Sequence, residues 1–181
     1  MIPAKKAAKK AAKHVHHGDH DPKDLLHAYE HLGRIEILHG SLDKQAVKDI
    51  ATLTMLAEQQ LAGKRMKDAA DLLRAAEHLS FGALNSSKAE KRIDPQLEEA
   101  IDKEFHHKLE KAEEHWAEKS YHHPAIEEIY TSVTERAEKA FENGAYRRAL
   151  EFARGAEALA HVNVPNAKEL ESRAEAKNLK S

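Results

Sequence analysis

The sequence predicts an all-α fold, on three observations. The 181 residues lean to Ala, Leu, Glu and Lys, with seven Gly and five Pro, and those four types lose least on entering a helix. Apolar residues recur at steps of three and four, and no stretch alternates convincingly with period two. Pro22, Pro95, Pro124 and Pro165 follow Asp21, Asp94, His123 and Val164. That placement suits the first turn of a helix, where the missing N–H costs nothing and a preceding Asp can cap.

About seven helices follow from this punctuation. The first runs from about Pro22 to His39 with Leu25, Tyr29 and Leu32 on one side. The second covers about Asp43–Ala62, striped by Ala46, Ile50, Leu53, Ala57 and Leu61, and Gly63 ends it. The third covers about Met66–Ala83 with Met66, Ala69, Leu73, Ala76 and Leu79. The fourth, about Pro95–Lys119, carries Leu97, Ile101, Phe105, Leu109, Ala112 and Trp116. The fifth, about Pro124–Glu142, carries Ile126, Ile129, Tyr130, Val133, Ala137 and Phe141, and stops at Asn143-Gly144. The sixth, about Ala145–His161, is striped by Tyr146, Ala149, Leu150, Ala153, Ala156 and Leu159. A more polar seventh, about Pro165–Asn178, has the look of a cap. Each is amphipathic, so each is expected to shield one side of a shared core. Phe105, Leu109, Trp116, Val133, Phe141, Tyr146 and Phe152 should be largely buried.

Composition removes several function classes. The absence of Cys excludes disulfides, thiol catalysis and iron–sulfur clusters. No apolar run approaches the roughly 18 residues of a membrane span, and the N-terminus lacks a signal-peptide stretch. A cytoplasmic protein without membrane association is the expectation. There is no Gly-rich phosphate loop, no G-x-S-x-G and no H-E-x-x-H, so no cofactor is expected.

Charge is placed unevenly. The chain has 29 basic and 31 acidic residues, yet residues 1–20 hold Lys5, Lys6, Lys9, Lys10 and Lys13 against Asp19 alone. This leader has no large apolar side chain to bury, so it is expected to be a disordered tail on a single all-α domain over 21–181. Its lysines could hold nucleic acid or another polyanion non-specifically through phosphate contacts, without base readout and with strong salt dependence. His14, His16, His17 and His20 beside Asp19 and Asp21 are the weak candidates for metal capture, lacking second-shell groups that would fix the rings.

A shift of 80 residues aligns 24–81 with 104–161 without a gap. Eight of the ten identities fall among the 26 pairs from Thr54/Thr134 to Leu79/Leu159, a concentration that composition alone does not explain. The expectation is two copies of a three-helix unit, about 22–94 and 95–178. In the second copy Ala137, Phe141, Gly144, Tyr146, Ala149, Ala153 and Ala156 mark a helical hairpin with a short turn and small residues that let backbones approach. This resembles the tetratricopeptide hairpin, whose second helix opens Gly-x-Tyr-x-x-Ala. The resemblance covers about 126–161 and, more faintly, 46–81, where Gly63 falls one residue early. Arg136 stands where that family has Leu, and the period is 80 rather than its shorter repeat. The resemblance implies a non-enzymatic scaffold that holds a peptide or partner helix on a concave face. Its contact residues would include Thr54, Glu58, Thr131, Thr134, Glu138 and Glu142, which favours a basic or amphipathic ligand.

Two chemical alternatives have some sequence support. Glu36/His39 and Glu104/His107 have the Glu-x-x-His spacing of di-iron sites, but Glu104 and His107 lie about 100° and 160° from Phe105 on the helix, away from the core. Arg154 and His161 resemble the Arg-x(4–6)-His of HEPN-class helical ribonucleases and nucleotide-binding modules. There an Arg would hold phosphate and a His move a proton, but Gly155 replaces the polar residue that follows the Arg. The first copy has Phe81 in place of the His.

Overall fold

The computed structural model describes residues 22–38, 42–85, 87–90, 94–119 and 121–165. Six helices lie among them and no strand: α1 (Pro22–Leu38), α2 (Lys44–Ala62), α3 (Met66–Leu84), α4 (Pro95–Ala117), α5 (Pro124–Glu142) and α6 (Tyr146–His161). None is long and apolar enough to cross a membrane. The Lys-rich leader, His14, His16, His17 and His20 lie outside the described residues, as does the expected seventh helix beyond Pro165.

Helix boundaries have local causes. The Asp43 side chain accepts from the Ala46 N–H at 2.8 Å and starts α2, and Asp94 accepts from the Gln96 N–H at 2.9 Å ahead of Pro95. Each supplies an acceptor to an otherwise unpaired N–H of a first turn. Lys119 donates from Nζ to the carbonyls of Leu159 and Val162 at the end of α6, a cation placed at the negative end of that helix.

The α2–α3 and α5–α6 turns have the same conformation. Gly63 has φ −78° and ψ 3°, and Asn143 has φ −81° and ψ 1°. The left-handed residue comes next, Lys64 at φ 59° and Gly144 at φ 69°. Gly63 therefore does not supply the left-handed step; Lys64 does, in register with Gly144. A non-Gly residue in that region costs about 1–2 kcal/mol. Lys64→Gly should therefore raise the melting temperature, by about 2–4 °C per kcal/mol recovered, while Gly144→Ala lowers it. Calorimetry of the two variants checks both signs.

Packing is organised around two central helices. α3 carries α1, α2 and α6, while α6 carries α4, α5 and α3; α2 touches α5 only lightly. Three neighbours bury α3 and α6 on most of their circumference, so these two do not shield merely one side of the core. Small residues make their crossing possible. A Cβ on Gly155 would lie 2.8 Å from Leu79 Cδ1 and 3.7 Å from the Ala75 carbonyl oxygen. Two of the outer helices, α1 and α4, are also tethered by charge. Buried Glu77 on α3 accepts from Arg34 at 3.0 Å and pairs with His31, both on α1. Glu157, the residue 80 positions on, pairs with Lys108 of α4 at 2.8 Å.

Burial corrects the expected faces in three places. On α1, Ala28 and Ile35 are buried while Tyr29 is 60% exposed; the tether to Glu77 turns the Ala28–His31–Ile35 face inward. On α4, residues 95–100 are exposed, Leu97 included, because 23 residues outrun the 16 of α6 on which they pack. Leu109, Trp116, Phe141 and Tyr146 are only partly buried. The three aromatics among them sit at the rim of the α4–α5–α6 wedge, where rings shield one another: Phe105 stacks on Phe141 at 4.2 Å, and Tyr146 meets Phe141 edge-on at 5.4 Å. Phe105, Val133 and Phe152 are buried as expected.

Candidate functional site

α1 and α2 meet mainly through α3, and a groove of about 540 Å³ runs between them. Its walls are Leu32 and Ile35 from α1 and Ile50, Ala51, Thr54, Met55 and Glu58 from α2. Four large apolar side chains line it, with one hydroxyl and one carboxylate at the α2 edge. Met55 is 51% exposed and continues the apolar wall to the surface. Thr54 and Glu58, named from the hairpin pattern, line this groove; of its apolar wall, Ile50 read as ordinary core and Ile35 was not singled out.

The corresponding space in the second half is filled. Trp116 of α4 stacks on Tyr130 of α5 at 4.0 Å and on His122 at 4.0 Å. Tyr130 occupies the position of Ile50, and Trp116 that of Glu36. Burial, then the nearby Glu113, pushes the Tyr130 phenol up to about 12, so the ring is neutral near pH 7. Of the expected contacts on α5, Thr131, Glu138 and Glu142 are exposed. Thr134 turns its hydroxyl back to the carbonyls of Tyr130 and Thr131, at 3.1 and 2.9 Å.

Arg154 and His161 occupy different surroundings. Arg154 Nη1 donates to Glu151 Oε1 at 2.9 Å, and Glu151 Oε2 pairs with His78 Nδ1 at 2.8 Å. Arg74 makes the same contact one register earlier, 2.9 Å from Asp71 Oδ1. Burial would raise the Glu151 carboxyl, but the His78 and Arg154 contacts outweigh it and hold it low. The His161 ring lies 4.4 Å from that of His115. Burial, then the charges of His115, Arg74 and Lys67, pull its pKa below 6.5 against the opposing pull of Glu157. Glu104 is half-exposed and His107 exposed, while Glu36 and His39 lie where side chains are not described. No group of three His, Asp or Glu side chains among the described residues is arranged to hold a metal ion.

The His161 shift has a consequence for acid stability. The unfolded chain takes up a proton at this residue near pH 6.5, whereas the folded chain does so only at lower pH. Stability therefore falls as pH drops from 6.5 through the folded value. Removing the titrating ring should flatten that part of the curve: between about pH 7 and pH 5 the melting temperature of His161→Gln should fall less than that of the wild type. Asp49 and Asp71, whose pKa values are raised chiefly by burial, remain in both proteins and contribute to both curves.

Compared with known proteins, the chain matches no family model, no curated protein and no solved structure.

Proposed function

We propose that the chain is an internally duplicated pair of three-helix units, acting in the cytoplasm as a non-enzymatic interaction module that seats an amphipathic helical peptide in the α1–α2 groove. The observation that carries the reading is the open apolar groove of Leu32, Ile35, Ile50, Ala51 and Met55, set against the ring-filled space of the second half. A peptide helix presenting apolar residues at steps of three and four would cover this surface, as groove-bound helices do. Glu58 at the edge and the net −6 of residues 21–181 favour a partner whose polar side is basic. The shared turn geometry, the matched Glu77 and Glu157 tethers and the equal packing order of the halves support duplication. The hairpins with small residues support a tetratricopeptide-like description.

Two labelled helical peptides with one apolar face, differing only in Lys or Glu on the polar side, test this by fluorescence anisotropy. The Lys peptide should bind more tightly, and the difference should shrink with added salt. Ala51→Trp, which fills the groove, should weaken the Lys peptide at least tenfold, and Glu58→Lys should reverse the charge preference. Unchanged binding in Ala51→Trp would remove the groove from consideration. RNA cleavage by the wild type, lost in both Arg154→Ala and His161→Ala, would replace this reading with a HEPN-like nuclease.

A further inference from the structure

A second pocket lies at the far end of the α5–α6 hairpin, and nothing in the peptide reading uses it. It encloses about 260 Å³ and is lined by Ser87, Arg136, Lys139, Ala140, Asn143 and Arg148. Three of those six side chains are cationic and none is acidic. We propose that this pocket binds a phosphate-class oxyanion, free or as the phosphomonoester of a small molecule.

The two arginines are held in place before any ligand arrives. The buried Phe152 ring lies beneath both, with the guanidinium carbon of Arg136 at 4.4 Å and that of Arg148 at 5.1 Å from its centroid. Their separation is thus below the Debye length, about 10 Å at 0.1 M salt, and their repulsion is poorly screened. Arg148 is fixed further by donating from Nη1 to the carbonyls of Ala83 and Asn85, at 3.2 and 2.8 Å. Burial, then repulsion from Arg136, lowers its pKa, a penalty that an anion would relieve.

Arg136 retains an unsatisfied donor. Its Nη1 is buried without a hydrogen-bond partner. The nearest carboxylates, Asp49 at 3.7 Å and Asp43 at 3.9 Å, are within ion-pair range but beyond hydrogen-bond contact. Asp49 Oδ2, the atom nearest that Nη1, is likewise buried without a hydrogen-bond partner, so the Arg136 charge is held near a carboxylate without being fully satisfied by it. Lys139 is exposed and has no ion-pair partner among the described residues. Carbonyls at the end of α5 would ordinarily repel an anion. Here those of Lys139, Ala140 and Phe141 already accept from the N–H groups of Asn143, Ala145 and Gly144. Asn143 and Ser87 add neutral donors at the pocket wall, so an oxyanion would meet both charge and directed N–H or O–H groups.

The first half shows that packing at the position of Arg136 does not require a cation. Arg136 and Arg148 fall in register with Leu56 and Asp68, and Leu56 is buried. The volume admits a phosphate with a few further atoms, and it is below the roughly 300 Å³ at which pockets for larger ligands begin.

The test is thermal unfolding of the full chain with sodium phosphate, with O-phosphoserine, and with sodium chloride at equal ionic strength. Either phosphate compound should raise the melting temperature saturably, in the millimolar range or below, where chloride does not. A stronger response to O-phosphoserine identifies a monoester ligand, and a stronger response to inorganic phosphate a free ion. Arg136→Leu, which installs the residue of the first half and leaves Asp49 without its cation, is expected to lower the starting melting temperature and to weaken the response at least tenfold. The exposed Lys139→Gln should weaken it several-fold, and Lys111→Gln on α4 should leave it unchanged. Equal stabilisation by chloride, or a wild-type response in Arg136→Leu, would overturn the proposal.

Discussion

Phe152→Ala should cost about 3–5 kcal/mol, a large part of the stability of a domain of this size. The ring is buried where α3 and α6 meet, and its loss removes both transfer free energy and the contacts of the groups around it. Collapse into the cavity is hindered on two sides. Gly82 presents backbone with no side chain to move, and Arg136 and Arg148 are cations that an emptied apolar space does not stabilise. Those guanidinium groups also lose their ring contacts, worth about 0.5–2 kcal/mol each. At about 2–4 °C per kcal/mol, the melting temperature should fall on the order of 10 °C. Phe152→Leu places the residue of position 72 at its counterpart and should cost less than half as much. Urea unfolding of both variants measures the difference, and a loss below about 1 kcal/mol in Phe152→Ala would show that the ring is not tightly enclosed.

What could be read from the sequence was what neighbours along the chain determine. Asp94 and Pro95 announce a helix start because a cap acts within three residues, and both act as expected. Gly144 announces a left-handed turn for the same reason. Lys64 does not, since Gly63 beside it draws attention to the wrong residue. The inward face of α1 was misread because it is chosen by Glu77, more than forty residues away. Leu25, Tyr29 and Leu32 form as regular a stripe as Ala28 and Ile35, and periodicity cannot rank the two.

The candidate sites show the same division. Thr54 and Glu58 were visible on the exposed side of a hairpin helix. Leu32 and Ile50 looked like core, because an apolar stripe shows that a helix has a face to cover, not that a neighbour covers it. In the second half Trp116 and Tyr130 supply that cover from within the chain. Arg136 was visible only as a departure from the Leu of the resembled hairpin. Its meaning depends on Phe152 and Arg148, which sequence spacing alone does not bring beneath and beside it.

Gly82→Ala separates close packing from helix propensity, because the two predict opposite signs. In an exposed helix interior the change should stabilise by up to about 1 kcal/mol. Here the added Cβ would lie 2.6 and 2.7 Å from two carbons of the Phe152 ring, distances that force the ring or the helix to move. The ring cannot swing freely, with Arg136 on it and the core around it, so the variant should lose about 1–3 kcal/mol. Gly155→Ala meets Leu79 Cδ1 at 2.8 Å, the far end of a flexible side chain, and should lose less. The double variant Gly82→Ala with Phe152→Leu relieves the clash, because the new methyl enters space that the ring vacates. Its loss should therefore fall short of the summed single losses by about 1–3 kcal/mol, a coupling that a double-mutant cycle measures directly. Additive losses, or a gain in Gly82→Ala alone, would mean that α3 and α6 do not meet ring against backbone at this point.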